Sequence, residues 1–167
     1  MTRVCLVGAP DVTLRFELLS RETSRDALST YTLTEPFENA LAVQTVSVGA
    51  AVSLLNDLQW YIVRFVDEAL VLDPSISETE WLSRDLATGI RNSEVDPHET
   101  GEYLKIFGVE YPEPESTPPD EDPPDPGPGQ LVEPLYARRT DGEVPEYDLR
   151  DVEETIVVRL SREEFVE

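Results

Sequence analysis

The sequence contains very little of what most metal sites and disulfides are built from. Its 167 residues include one cysteine, Cys5, and one histidine, His98. A single cysteine excludes an internal disulfide and a cysteine-based metal cluster, and a single histidine excludes sites that need two or three imidazoles. Cys5 lies in the apolar run RVCLVG (3–8) and is interpreted as a small buried hydrophobic residue. We therefore predict neither a metal site nor a cofactor.

Sequence motifs of catalysis are also absent. The chain has no G-x-S-x-G motif, and the glycine of LVGAPD (6–11) belongs neither to a G-x-G-x-x-G series nor to a P-loop. Carboxylate pairs such as Glu78 and Glu80 are expected by chance among 35 acidic residues, and His98 is interpreted as a loop residue. No catalytic residue is predicted, and the balance is against an enzyme.

Long hydrophobic runs are missing as well. The run Trp60–Val66 is among the longest, and it is far shorter than the roughly 20 apolar residues that cross a bilayer. The N-terminal segment MTRVCLVGAPD (1–11) has a four-residue apolar run, whereas a signal peptide needs a longer one. We therefore predict a cytoplasmic protein that does not bind membranes.

Lysine is nearly absent, although acidic residues abound. The 35 acidic residues outnumber the 13 basic ones, Lys105 is the single lysine, and the formal net charge is −22. This combination is typical of proteins from salt-accumulating halophilic archaea, because in molar salt a Debye length of about 3 Å screens the self-repulsion. The charge is interpreted as adaptation to salt rather than as a surface for a basic partner. Nucleic-acid binding is not predicted, because the chain has no cluster of arginines with interleaved aromatic residues.

One segment is built almost entirely from proline and acid. PEPESTPPDEDPPDPGPG (112–129) holds eight prolines and six acidic residues. Prolines remove backbone donors and disfavour helix, so the segment is predicted to be a disordered, solvated loop or linker. It divides the chain into a core over 1–111 and C-terminal strands over 130–167, which we expect to complete the same domain. A hairpin loop is preferred, and a tether to a small C-terminal module is the alternative.

Hydrophobic periodicity predicts strands alternating with a few helices. The predicted strands are RVCLVG (3–8), LAVQTVS (41–47), WYIVRFV (60–66), ALVLD (69–73), EYLKIFGVE (102–110), LVEPLYARR (131–139) and TIVVRLS (155–161). VTLRFEL (12–18) alternates strictly and predicts a strand, with a helix capped by Asp11 as the competing interpretation. Helices are predicted from Ser47 to about Leu58, from the capping box SETE (77–80) to about Arg91, and briefly after Thr23.

These elements predict an α+β fold in one compact domain. We expect a mixed or antiparallel sheet of about five to seven strands, with two to three helices mainly on one face. The order of elements argues against a doubly wound parallel sheet. The predicted core includes Leu6, Leu54, Ile62, Phe65, Leu72, Trp81, Leu86 and Ile106.

Several segments together carry a resemblance to a known group of proteins. They are RVCLVG (3–8), ELLSRETSRDALSTY (17–31), EPFENALAVQTVS (35–47) and EWLSRDLA (80–87). With the acidic composition, they make the chain outside the proline-rich segment resemble the small acidic proteins of unknown function found in haloarchaeal genomes. The resemblance implies a halophilic cytosolic protein with one compact domain, and it implies no activity, cofactor or catalytic residue.

Arg64 is the residue that the sequence singles out. In a strand reading of WYIVRFV (60–66) both faces are largely apolar, so Arg64 would be buried in a central strand and would need a partner. One interpretation is a salt bridge to an acid such as Asp57, Asp73 or Asp85. The other is an anion-binding pocket lined by Arg64 and Trp60, which Arg21 and Arg25 would join. Local ion pairs on a solvated helix face are the competing interpretation of the last two arginines.

Two hypotheses for the function remain. The first is a non-enzymatic protein-binding or regulatory module with a protein partner, and it is motivated by the lack of a catalytic constellation. The second is a small-molecule binding protein, or an enzyme, that recognises an anionic ligand near Arg64 and Trp60.

Overall fold

The computed structural model describes residues 1–111, 129–140, 143–149, 151–152 and 154–166. The chain has an α+β fold with one mixed sheet of seven strands. The described residues form six α-helices, where two or three were predicted, and a short 3-10 helix. Four of the helices have seven residues or fewer, which makes their periodicity ambiguous, and one of them, Glu22–Leu28, contains the short helix predicted after Thr23. The disordered loop or linker predicted over 112–129 lies, except for Gly129, outside the described residues.

The bounds of the elements are as follows. The strands are β1 (Thr2–Gly8), β2 (Ala40–Thr45), β3 (Val66–Leu72), β4 (Glu80–Ser83), β5 (Tyr103–Glu110), β6 (Gln130–Arg138) and β7 (Glu154–Leu160). The helices are α1 (Leu14–Leu19), α2 (Glu22–Leu28), α3 (Val48–Asp57), α4 (Gln59–Phe65), α5 (Arg84–Arg91) and α6 (Arg162–Val166), and the 3-10 helix spans Pro97–Glu99.

The strand order in the sheet is β2-β1-β3-β4-β7-β5-β6. Neighbouring strands are antiparallel except for β4 and β7, which are parallel. The C-terminal strand β7 therefore lies between β4 and β5. β5 and β6 pair antiparallel as predicted, and Glu110 at the end of one faces Gln130 at the start of the other.

The sheet curls strongly towards one face. Phe37, just before the edge strand β2, forms a parallel bridge with Gly129, just before the other edge strand β6. On the concave face Lys105 of β5 reaches Glu68 of β3, although β4 and β7 lie between them. Three strand spacings in a flat sheet would separate these residues by about 14 Å. The curvature brings side chains from distant strands into one concave face.

Each face of the sheet has its own hydrophobic core. Val4 and Leu6 of β1 face the layer of helices α1 to α5, where they pack with residues such as Leu55 and Leu86. Cys5, between them in sequence, faces the concave side, where Trp81, Phe107 and the partly buried Phe165 of α6 also pack. Of the predicted core, six side chains are buried and two, Phe65 and Leu72, are partly buried.

The strand predicted over 60–66 is wrong, because residues up to Phe65 form helix α4 and Val66 begins strand β3. The buried face of this segment carries Leu58, Tyr61 and Ile62, and Phe65 is partly buried on the same side. These positions follow the helical spacing i, i+3, i+4, i+7, which matched the sequence as well as period two did. Arg64 falls on the exposed face of the helix, so it needs no buried acidic partner.

The strand predicted over 12–18 is also wrong, and the competing helix is present as α1. Its cap does not come from Asp11. The Asn39 side chain accepts a hydrogen bond from the Leu14 backbone N–H at 2.8 Å and donates to the carbonyl oxygens of Ala9 and Val12. A cap supplied from 25 residues away leaves no local signature in the sequence.

The helix predicted from the capping box at 77–80 begins later than expected. Residues Glu80–Ser83 form strand β4 between β3 and β7, and α5 starts at Arg84. Ser83 provides the actual cap, because its hydroxyl accepts a hydrogen bond from the Leu86 N–H at 3.2 Å. Pairing with two strands outweighs the local preference for a helix start. The helix capped by Ser47, in contrast, is confirmed as α3.

None of the helices in the described part of the chain is long and apolar enough to cross a membrane.

Candidate functional sites

Helix α4 presents an exposed stripe of apolar and cationic side chains. Trp60, Val63 and Arg64 occupy positions i, i+3 and i+4, which share one side of a helix. Trp60 is 45% exposed and Val63 is 63% exposed. The Arg64 guanidinium stacks on the Trp60 ring, 3.9 Å from its centroid, and donates to the Trp60 carbonyl at 2.7 Å. We call Arg21, Trp60, Val63 and Arg64 the α4 surface.

Four residues were predicted to form a ligand site, and the structure brings three of them together: Arg21, Trp60 and Arg64. The Arg21 guanidinium lies 5.3 Å from the Trp60 ring centroid and 5.4 Å from that of Phe65. Arg21 also meets Glu17 at 3.4 Å, which is the local ion pair that the competing interpretation expected. Arg25 is exposed, and within the described residues it makes no ion pair or ring contact. Arg21, Trp60 and Arg64 therefore meet on the protein surface, whereas the predicted central strand would have buried Arg64.

A second candidate site lies on the concave face of the sheet, around the chain's single lysine. The Lys105 ammonium group donates a hydrogen bond to the Glu68 carboxylate. The side chains of this pair are 14% and 23% exposed. The ammonium nitrogen lies 5.0 Å from the centroid of the Phe107 ring and 5.5 Å from that of Tyr136. An ammonium is compact enough to occupy a position between a carboxylate and two rings, where a planar guanidinium is bulkier.

The electrostatics keep Lys105 protonated. Burial alone would lower the pKa of Lys105, but the hydrogen bond and charge of Glu68, with a smaller contribution from Tyr136, hold it above its ordinary value. A lysine that acts as a base or nucleophile needs a depressed pKa. The arrangement therefore suits a fixed positive charge rather than a catalytic amine.

Two clefts open on either side of the Glu68–Lys105 pair. One has a volume of about 370 Å³, and we call it the Lys105 cleft. Its charged and polar lining comprises Asp67, Glu68, Ser83, Arg84, Asp85, Lys105, Tyr136 and Glu164. The other has a volume of about 430 Å³ and is lined by Glu38, Asn39, Gln130 and the same Asp67 and Glu68. The two clefts share Asp67 and Glu68, and the Lys105 cleft also reaches the helix layer, since Ile62 and Ala69 line it.

The floor of the Lys105 cleft is held by the C-terminal helix. Ser83 donates a hydrogen bond to Glu164 at 2.5 Å, and Glu164 also accepts from the Ser161 N–H at 2.9 Å. The Ser161 hydroxyl in turn accepts from the Glu164 N–H at 3.2 Å, which completes a capping box at the start of α6. Phe165 stacks on Tyr103 with ring centroids 4.9 Å apart. Glu164 therefore has a structural role, because its carboxylate already accepts hydrogen bonds from Ser83 and Ser161.

Two arginines share one carboxylate near the start of β4. Glu80 Oε1 accepts from Arg159 Nε at 2.8 Å and from an Arg139 Nη at 2.6 Å, and Arg159 also donates to Thr100. Burial would raise the pKa of Glu80, but the hydrogen bonds and charges of Arg159 and Arg139 outweigh burial and lower it. The Arg139 Nε–H is buried and lacks an acceptor among the described residues. The group links β4, β7 and the end of β6.

Neither the Glu68–Lys105 pair nor the group of Glu80, Arg139 and Arg159 was predicted from the sequence. For Lys105, however, the sequence contains a pattern that indicates its position. Lys105 lies between Tyr103 and Phe107 at period two, so an inward-facing single lysine could be read from EYLKIFGVE (102–110). The partner Glu68 could not, because the pairing depends on the curvature of the sheet. The described residues include no group of three or more His, Cys, Asp or Glu side chains placed to hold a metal ion.

Comparisons with known proteins give one match. A family model described as a family of unknown function, DUF5804, matches residues 2–109. No curated protein matches the chain. No solved structure matches it either.

Proposed function

The chain belongs to the DUF5804 family of unknown function, and we propose that it is a halophilic cytosolic protein that acts as a non-enzymatic protein-binding module. The α4 surface is the proposed binding face. The observation that carries the proposal is the exposed Trp60, flanked by the guanidinium groups of Arg21 and Arg64. Tryptophan and arginine are the residues most enriched among those that dominate the energy of protein interfaces.

The charge of the α4 surface indicates the chemistry of the partner. Arg64 forms no ion pair with any described residue, and Arg21 meets its carboxylate only at 3.4 Å. The Arg64 guanidinium is therefore available to a partner, and it lies against the exposed Trp60 ring. We therefore expect a partner surface that presents a carboxylate beside an apolar side chain, which would cover Trp60 and Val63.

A small anionic ligand at Arg64 and Trp60 is the alternative. The clefts of the concave face are lined by neither residue, so such a ligand would lie on an open helix surface. Small-molecule sites are usually concave and bury most of the ligand. The geometry therefore favours a protein partner.

Site-specific photo-crosslinking tests the proposal. A photoreactive amino acid at position 63, in the native salt, would capture the partner, which is then identified and purified. We expect Trp60→Ala and Arg64→Glu to weaken its binding by at least about tenfold, or 1.4 kcal/mol. Arg91→Glu is the matched control, because Arg91 is exposed on α5 and bonds only to Asn92.

A charge exchange makes the test specific. A carboxylate-to-lysine change on the partner should restore binding to the Arg64→Glu variant, since it restores the attraction with opposite signs. If the variants bind the captured protein as well as the wild type, the α4 surface is not the binding face. If a small anion is retained instead, and lost in Arg64→Glu, the alternative is correct.

A further inference from the structure

We propose that the Lys105 cleft binds a small zwitterion of the amino-acid class, which carries one carboxylate and one ammonium group. This binding does not involve the α4 surface, because none of the four residues that define that surface lines the cleft. The cleft holds charges of both signs: Glu68 and Lys105 form an ion pair, and the charge of Asp85 partly offsets the effect of burial, which lowers the pKa of Arg84. Within the described residues, Asp67, Arg84 and Asp85 line the cleft, and none of them forms an ion pair.

Two cations are placed to receive a ligand carboxylate. Lys105 has three N–H donors, of which one is directed to Glu68 and another interacts with the Tyr136 hydroxyl, which leaves one for a ligand. Arg84 is partly buried and directs one nitrogen to the Leu55 carbonyl and the Asn56 side chain, at 3.4 and 3.2 Å. Its other donors meet no acceptor among the described residues. Guanidinium and ammonium donors in a partly buried setting are strong partners for a carboxylate.

Two carboxylates are placed to receive a ligand ammonium. Asp67 and Asp85 are both exposed at the cleft, unlike Glu164, whose oxygen is used by Ser83 and Ser161. A volume of about 370 Å³ accommodates a molecule of amino-acid size with water.

A ligand with a charge of only one sign would pair either with the two cations or with the two aspartates of the lining, but not with both. A simple carboxylate at Arg84 and Lys105 would also face the two aspartates, and a simple amine would face the two cations. Like charges across a binding site disfavour the wrong ligand, which is how a mixed cleft selects a molecule with both groups. The proposed specificity therefore depends on both ends of the ligand at once.

The single lysine provides the readout. In full-length protein labelled with 15N-lysine, Lys105 gives the one side-chain ammonium resonance. The twenty common amino acids are added singly, at about 10 mM, to the protein in molar KCl, a concentration that detects millimolar dissociation constants. We expect at least one to shift the resonance saturably. The matched amine without the carboxylate, and the matched acid without the amino group, should bind at least about tenfold more weakly.

Variants assign the effect to the cleft. Arg84→Gln and Asp67→Asn should each weaken binding of the active amino acid by at least about tenfold. Arg91→Gln and Glu94→Gln are exposed controls that leave the cleft lining unchanged, and they should bind as the wild type does. The unliganded Lys105 resonance verifies that each variant is folded. The proposal is wrong if no amino acid shifts the resonance, if one half of the ligand binds as well as the whole, or if the cleft variants bind normally.

Discussion

Among the acidic side chains that are exposed or partly buried, we expect Glu80 to contribute most to the free energy of unfolding. It is the shared acceptor of Arg139 and Arg159, and its side chain is 15% exposed. Glu80→Gln would leave two half-buried guanidinium groups without their counter-charge. We expect a loss of about 2 kcal/mol in the free energy of unfolding, below the cost of breaking a fully buried pair. Chemical denaturation in molar KCl measures it.

The same variant has a pH dependence with a defined sign. Because the pKa of Glu80 is lowered in the folded chain, its contribution is present above the unfolded pKa and is lost as the pH falls through the folded pKa. The difference between wild type and Glu80→Gln should therefore shrink below about pH 4.3. Glu102→Gln is the control, since its ion pair with Arg138 is exposed and should contribute less than about 1 kcal/mol. Equal losses in the two variants would contradict the assignment.

Individual elements depend on single distant side chains, and α1 is the clearest case. Asn39 has φ 57°, a conformation that asparagine tolerates better than most residues, and its amide bonds to Ala9, Val12 and Leu14. Asn39→Ala would remove the bonds and strain the backbone, at an expected cost of about 3 kcal/mol. Asn39→Gly would relieve the strain and should recover about 1 kcal/mol of that loss.

Thermal unfolding of these two variants, beside Asn92→Ala, gives the measurement. Asn92 is exposed and its side chain accepts only from Arg91, so its replacement should cost less than about 0.5 kcal/mol. If Asn39→Ala is as stable as Asn92→Ala, the loop before α1 is held by other contacts.

The connection between β5 and β6 gives a second prediction for an element. Glu110 and Gln130 are already paired, so the ends that the segment 112–128 joins are held together by the sheet. Replacing 112–128 with a short Gly–Ser linker should change the free energy of unfolding by no more than about 1 kcal/mol, since loop closure varies slowly with length. A scrambled 112–128 serves as the length-matched control. A large loss for the short linker would contradict the interpretation of this segment as a spacer.

Elements with an apolar run between turn residues or with a local cap were predictable from the sequence. β1 and β5 follow from their apolar runs, and α3 follows from its helical spacing and its Ser47 cap. α4 was missed because a seven-residue apolar run fits both periods, and the choice depends on which side faces the core. β4 was missed because it is a four-residue strand whose pairing with β3 is completed by β7, with partners 77 residues later in the chain. The candidate sites were predictable only in part: Arg21, Trp60 and Arg64 meet, but on a helix surface, whereas the Glu68–Lys105 pair requires the curl of the sheet.

At the scale of the whole molecule, the net charge of −22 should govern stability. We expect the midpoint of thermal unfolding to rise by at least on the order of 10 °C from dilute buffer to molar KCl, because salt screens the repulsion among carboxylates. Circular dichroism at increasing KCl measures this. Sucrose is the control, because it favours compact states without screening charge. A midpoint that does not respond to KCl would contradict the proposed adaptation to salt.

Cys5 supplies an independent readout of the same transition. Burial raises the pKa of its thiol to about 12, against a small opposing effect of Arg3. The folded protein at pH 8 should therefore react with an alkylating agent about a thousandfold more slowly than the exposed thiol of a Thr23→Cys variant. Removing KCl should accelerate the reaction at Cys5 as the sheet opens.

The position of β7 has a consequence for synthesis on the ribosome. This strand is the last to be translated, yet it lies between β4 and β5 and joins the two halves of the sheet. The nascent chain can pair β1 with β2 and β3, but β4 keeps an open edge until Leu160 has left the exit tunnel. Open strand edges invite pairing with other chains. Until β7 pairs with β4, the repulsion among the many carboxylates of the chain therefore opposes aggregation through this open edge.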